Sequence, residues 1–340
     1  MSSSSSSSHE TPKYIIFFLL MVMSPIISSN VINFQSPNLF PIGFAWNPTS
    51  QHFILSSLRH HSLKFVSDGG IVETLISDHS LPPMVTILGI TIDSINNRLL
   101  AIIHAFEPLP PFNALAAYDL TSGDRLFLTP LTNSLVTGRR PIAIDVAIDF
   151  SGNAYVTNSV GNFIWKVEAS GKPFVLSKSA VFSSQHVDTR QPYSFSGLSG
   201  IAYVSNGGFL LVVQTNTGKL FKVHVEDGTA RVVRSTEELT AAEGIAVRND
   251  GIVVVMSEKK AWFLKSKDGW DEAVVYDEIA LDADKLPTSV TVREENRTYV
   301  LYGKARKGSL GSTEKTEFSI EEITGSSKGK KEEPDVNDAS

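Results

Sequence analysis

The sequence predicts an all-β fold, a six-bladed β-propeller over residues 31–323. Three observations support it. One strand pattern recurs six times at near-regular spacing, hairpin signals separate the strands within each copy, and no helical period of useful length occurs beyond the N-terminal leader. A sandwich would not repeat so regularly, and α/β alternation requires helices that the sequence lacks.

Taken in chain order, the first element is a serine-rich stretch with Lys13, followed by the apolar run Tyr14 to Ile27 and the small polar exit Ser28, Ser29 and Asn30. The run is too short to cross a bilayer comfortably, so residues 1–30 read as a secretory signal, cleaved or retained as a signal anchor. This directs the chain to the secretory pathway, whether extracellular, vacuolar or endoplasmic reticulum, with membrane contact only if the segment is retained. Val31-Ile32-Asn33-Phe34 is next, an extended segment placed to pair with the last blade, because a ring of blades must hide its first and last edges.

The copies begin at Gly43, Gly89, Asp145, Gly200, Gly244 and Ser289, 44 to 56 residues apart, a period that fits a four-stranded blade. Each opens on a small turn residue and a short apolar strand, as in Gly43-Phe44-Ala45-Trp46 or Gly244-Ile245-Ala246-Val247. A strongly β-forming run follows, such as Ile252-Val253-Val254-Val255. Ser151-Gly152-Asn153, Asn206-Gly207-Gly208 and Asn249-Asp250-Gly251 stand between paired strands, where Asn, Asp and Gly accept the positive φ of tight hairpins. Third and fourth strands follow in most copies, as in Leu220-Phe221-Lys222-Val223 and Arg231-Val232-Val233, divided by Asp227-Gly228. The tail over residues 324–340, rich in Lys, Glu, Ser and Gly, has nothing to bury and reads as disordered.

With 340 residues, 42% of them hydrophobic and 19% charged, the chain can build a sizeable core. Its net charge of -6 offers no attraction to phosphate backbones, which argues against nucleic acid as a partner. The absence of cysteine removes disulfides, zinc-thiolate sites and thiol nucleophiles together. One N-glycosylation sequon, Asn296-Arg297-Thr298, gains meaning from the leader, whereas Asn47-Pro48-Thr49 is excluded by its proline.

Two stretches are similar to the senescence-marker-protein/gluconolactonase family of the calcium-dependent phosphotriesterase superfamily. They are Ile144-Asp145-Val146-Ala147-Ile148-Asp149 with Gly152-Asn153-Ala154-Tyr155-Val156-Thr157-Asn158, and Gly197-Leu198-Ser199-Gly200-Ile201-Ala202-Tyr203. The run from Gln214 to Val223 resembles plant members, and the resemblance covers residues 31–302. It implies a divalent cation, usually calcium, in the central channel, where it would polarise a lactone or phosphoester oxygen and activate water. The implied ligand positions fall near Pro41 or Ile42, normally Glu; at Ile144 and Ser199, normally Asn; and at Glu243, normally Asp. Only Glu243 keeps a carboxylate, so calcium is expected to bind weakly or not at all.

Glu243 reads either as a metal or substrate contact or as a charge solvated at the channel mouth. Ser199 is a further weak ligand or a structural hydroxyl; Asp145 and Asn158 are candidate ligands or strand-end hydrogen-bonders, and Asp149 shares the ambiguity of Asp145. His104, before the proline-rich stretch Glu107-Pro108-Leu109-Pro110-Pro111, suits a general base in type but has no evident orienting carboxylate. His60-His61 lacks further ligands at usable spacing, and no nucleophile elbow, phosphate loop or zinc-helix motif occurs. Two functions follow. One is a metal-dependent lactonase or esterase-like hydrolase with a degenerate metal site, and the other is a non-catalytic propeller binding a small molecule in its channel or a protein partner.

Overall fold

The structure is a computed structural model that describes residues 30–131, 140–303 and 315–325. The predicted leader, apart from Asn30, and residues 326–340 of the predicted tail lie outside the described residues. The described chain is all-β, and its helical pieces are short 3-10 turns at Ala180–Phe182, Ala283–Lys285 and Glu294–Asn296.

The sheets are antiparallel meanders. The first runs through Pro41–Asn47, His52–Ser57, Ser62–Val66 and Val72–Ser77, and residues 86–130 and 143–177 form two more four-stranded sheets in the same way. Residues 198–235 and 244–280 repeat the meander, but their outermost strands join through a short parallel ladder that sets Arg234 beside Glu272 and Ser235 beside Ala273. The two runs therefore make one eight-stranded sheet. The last four-stranded sheet combines Pro287–Val292, Thr298–Tyr302 and Glu317–Ile323 with Val31–Gln35 from the other end of the chain.

The hairpins obey the local chemistry of their residues: Gly152, Gly228 and Gly251 all take positive φ, at 80°, 69° and 81°. In Val31–Gln35 the alternation is equally direct, with Ile32 and Phe34 buried and Val31, Asn33 and Gln35 facing out.

The first strand of each meander packs beside the first strand of the next in a closed circuit. Pro41–Asn47 meets Thr86–Asp93, followed by Ala143–Ile148, Leu198–Val204, Gly244–Val247 and Pro287–Val292, which returns to Pro41–Asn47. Hydrophobic cores form between neighbouring meanders rather than within one. Tyr155 and Ile164 pack against Leu210 and Phe221, for example, while Phe53 and Leu55 pack against Tyr299 and Leu301.

At Gly43, Gly89, Asp145 and Gly200 the residue that opens a copy, expected in a turn, stands instead inside a strand at a bulge. Register slips between Pro41 and Phe44, around Gly43, and between Leu198 and Ile201, around Gly200. A Cβ on Gly43 would lie 2.2 Å from the Leu88 carbonyl oxygen, and one on Gly200 would lie 2.6 Å from that of Glu243. Glycine is needed there because the neighbouring strand's backbone occupies the space of a side chain.

Candidate functional site at the channel mouth

The circuit of first strands encloses a channel of about 230 Å³, lined near its start by Ile42, Leu88, Ile144 and Thr288 and further along by Asp145. At the end where these strands begin it meets a wider cavity of about 670 Å³, and Ile42, Glu243 and Thr288 line both.

Polar atoms at this level bind one another. The Ser56 hydroxyl donates to the Leu88 carbonyl at 2.6 Å, Thr157 to Ser199 at 2.7 Å, Ser199 to Glu243 at 3.1 Å and Thr288 to Pro41 at 3.1 Å. Each bond joins one meander to the next, so the hydroxyls tie the circuit together near its axis.

The sequence-derived candidates are therefore split between environments. Ser199 is buried, with its hydroxyl donated to a carbonyl. Asp145 lines the channel and accepts the Ile201 amide at 3.2 Å. Asn158 is fully buried; its Oδ1 accepts from Gly161 at 2.8 Å, and its Nδ2 has no hydrogen-bond partner. Asp149 lies at the opposite end of the sheets, where it caps a hairpin by accepting from the Ser151 and Asn153 amides and the Tyr155 hydroxyl. Glu243 alone among them lies where channel and mouth meet, half-buried and engaged in its surroundings.

His104 is buried, with Nδ1 3.2 Å from Asn113 Oδ1 and its ring edge-to-face with Phe106. Burial pushes its pKa below the ordinary value, the Asn113 hydrogen bond opposes this, and the Arg140 charge adds to it. His60 lies 3.3 Å from the Pro37 carbonyl, and no three His, Asp or Glu side chains converge on a metal-sized point among the described residues.

This donor set does not fit calcium. The ion takes six to eight oxygens, whereas Ile42, Leu88 and Ile144 supply no side-chain oxygen and the lining offers only the Asp145 and Glu243 carboxylates, one of them already accepting the Ile201 amide, beside a few hydroxyls.

The wider cavity is built by residues that carried no sequence motif. One wall is Gln191 to Ser196, held by Asn216, whose side chain donates to the Ser194 carbonyl at 3.1 Å and whose amide donates to the Ser196 carbonyl at 2.9 Å. It presents Tyr193 and Phe195 to the cavity, and Phe195 is 60% exposed. Glu237, Glu238, Glu258, Lys259 and Lys260 line the same cavity. Lys260 is paired with Glu278 at 2.8 Å, outside the cavity's lining. The one available signal was an aromatic pair inside the long serine- and proline-containing connection before Leu198.

No family model matches the chain, and no curated protein matches it. Solved structures do. The major Malassezia sympodialis allergen Mala s 1 is 17% identical, with 86% of this chain and 95% of that chain covered at a TM-score of 0.69. A gluconolactonase from Xanthomonas campestris is 14% identical, with 87% and 90% covered at a TM-score of 0.58. A streptogramin B lyase is 11% identical, with 87% and 98% covered at a TM-score of 0.57. The chain has a gluconolactonase-like propeller fold. At these identities the likeness is one of fold alone.

Proposed function

We propose that this chain is a six-bladed propeller of the senescence-marker-protein/gluconolactonase type that binds a small molecule at its channel mouth without a catalytic metal. The closed circuit of first strands and the cores shared by neighbouring meanders support the blade count. The observation that carries the functional reading is the chemistry at the channel start: the apolar side chains of Ile42, Leu88 and Ile144 where a hydrolytic relative needs metal ligands. A fold shared with a gluconolactonase brings a channel and a mouth, and the donors that line them decide the chemistry.

The mouth is suited to a compact ligand. A volume of about 670 Å³ lies within the range of small-molecule sites. Phe195 and Tyr193 offer apolar surface, while Glu237, Glu238, Glu243 and Glu258 together with Lys259 and Lys260 line the cavity with charge of both signs, which suits a ligand with an apolar body and polar groups. The reading includes entry to the secretory pathway through residues 1–30.

The test is calorimetric titration of calcium into the wild type and Glu243→Gln, with turnover measured on a panel of lactones and aryl esters. We expect millimolar or no calcium binding and no calcium-dependent turnover. A small-molecule screen by thermal shift should give ligands whose stabilisation is lost in Phe195→Ala. Micromolar calcium binding with turnover, both abolished in Glu243→Gln, would restore the metal-dependent hydrolase reading.

A further inference from the structure

We propose that Asn296 carries an N-linked glycan, added before the last sheet closes and displayed on the end of the ring opposite the ligand cavity. The proposal rests on secretory entry and is independent of what the cavity binds.

Asn296 ends the short turn Glu294–Asn296 that links Pro287–Val292 to Thr298–Tyr302. Its φ of 60° is a left-handed conformation that asparagine tolerates. The first strands run away from the cavity, so this turn lies at their far end. Asn296 Oδ1 accepts the Asn249 amide at 2.8 Å, which fixes the side chain's orientation. Among the described residues its Nδ2 makes no hydrogen bond and is not one of the buried unpartnered atoms, so it reaches the surface. That nitrogen is the one the modification uses.

Thr298 supplies the second observation. Its residue is 1% exposed, and its hydroxyl is buried without a protein partner. In the folded sheet Thr298 stands opposite Val292 on one side and Ile323 on the other, an environment in which valine would fit the same volume. The hydroxyl does nothing for the fold and costs it desolvation. Its use lies in the open chain, where the sequon's hydroxyl can be read. Of the two strands paired with Thr298, Glu317–Ile323 emerges after the sequon, and Val31–Gln35 docks on that strand in turn. Until then the sequon is accessible.

The step joins Asn296 Nδ2 to the anomeric carbon of an oligosaccharide carried on a lipid pyrophosphate. The bond from that carbon to the pyrophosphate oxygen breaks, the lipid pyrophosphate leaves, and the amide gives up one proton.

The experiment translates the full chain into microsomes, with a reporter sequon made in the tail by Lys330→Asn with Glu332→Thr. The wild type should show one glycosidase-sensitive mass shift, Asn296→Gln and Thr298→Val none, and the reporter variant two. The purified Thr298→Val protein should also melt above the wild type, which separates loss of the glycan from loss of the fold. Unglycosylated folded protein offered to the transferase with lipid-linked oligosaccharide should stay unmodified and become a substrate once unfolded in urea. A reporter shift without one at Asn296 overturns the site. Equal transfer to folded and unfolded protein overturns the timing. No shift on either sequon overturns secretory entry, and the glycan with it.

Discussion

The Asn113 side chain accepts from the Ala143 amide at 3.2 Å through the same Oδ1 that faces His104, so the His104 Nδ1 carries the proton and donates. Arg140 stands near this imidazole and is itself paired with Glu107 at 3.5 Å. Burial, assisted by the Arg140 charge and opposed by the Asn113 bond, holds the imidazole pKa below its ordinary value. Because the folded pKa is below the unfolded value of 6.5, the unfolded chain takes up a proton first as pH falls. The stability contribution is therefore fully present above about pH 6.5 and is lost below it. We expect denaturant midpoints of the wild type to decline from about pH 6.5 downward, and His104→Gln to flatten the upper part of that decline. An unchanged slope in the variant would mean that other groups carry the acid sensitivity. The sequence offered this residue as suited to a base by type but without an orienting carboxylate, and its described neighbours bury it and orient it through an amide.

Strands and hairpins were legible because their signals are local. Alternation in Val31–Gln35 and the Asn-Asp-Gly turn before Ile252 each lie within a few residues. The role of the opening glycines was not, because it depends on the adjacent meander. Gly200 would place a Cβ 2.6 Å from Glu243 O and 3.0 Å from Ile245 N, both backbone atoms that cannot swing aside. Gly244 would place its Cβ 3.3 Å from Val290 Cγ1, the end of a side chain with some freedom to give. Gly200→Ala should therefore cost about 2 kcal/mol, in the range seen for overpacked cores. Gly244→Ala should cost clearly less, and paired urea denaturation of the two variants measures the difference. Equal losses would remove the distinction between backbone and side-chain neighbours. The cavity wall was hidden for the same physical reason as Gly200, since Phe195, Glu238 and Glu258 come from separate connections that only the closed circuit brings together.

Closure is a property of the whole chain. Val31–Gln35 buries Ile32 and Phe34 at the seam between the first and last sheets, where they pack with Phe53, Tyr299 and Phe318. The far end of the same seam is held by Arg293, whose guanidinium lies 4.0 Å from the Trp46 ring and pairs with Asp68 at 2.7 Å, while Trp46 donates to Glu294 at 2.8 Å. Removing residues 1–35 strips the ladder from Glu317–Ile323 and opens an edge, and it uncovers the apolar faces of the sheets on both sides. Fully exposing an Ile and a Phe side chain alone costs on the order of 3–6 kcal/mol, a large share of the roughly 5–15 kcal/mol that folded domains retain. The truncated chain should thus melt well below the full-length protein. Hydrogen exchange should show protection lost in residues 41–66 and 287–302 together, because those strands share the opened core. A truncated protein melting at the full-length temperature would mean that the ring is closed by the Trp46, Arg293 and Glu294 contacts without its terminal strand. Phe34→Ala separates the two contributions: it keeps the backbone ladder and removes only the buried ring, so a loss of about 3–5 kcal/mol assigns most of the closure energy to packing at the seam.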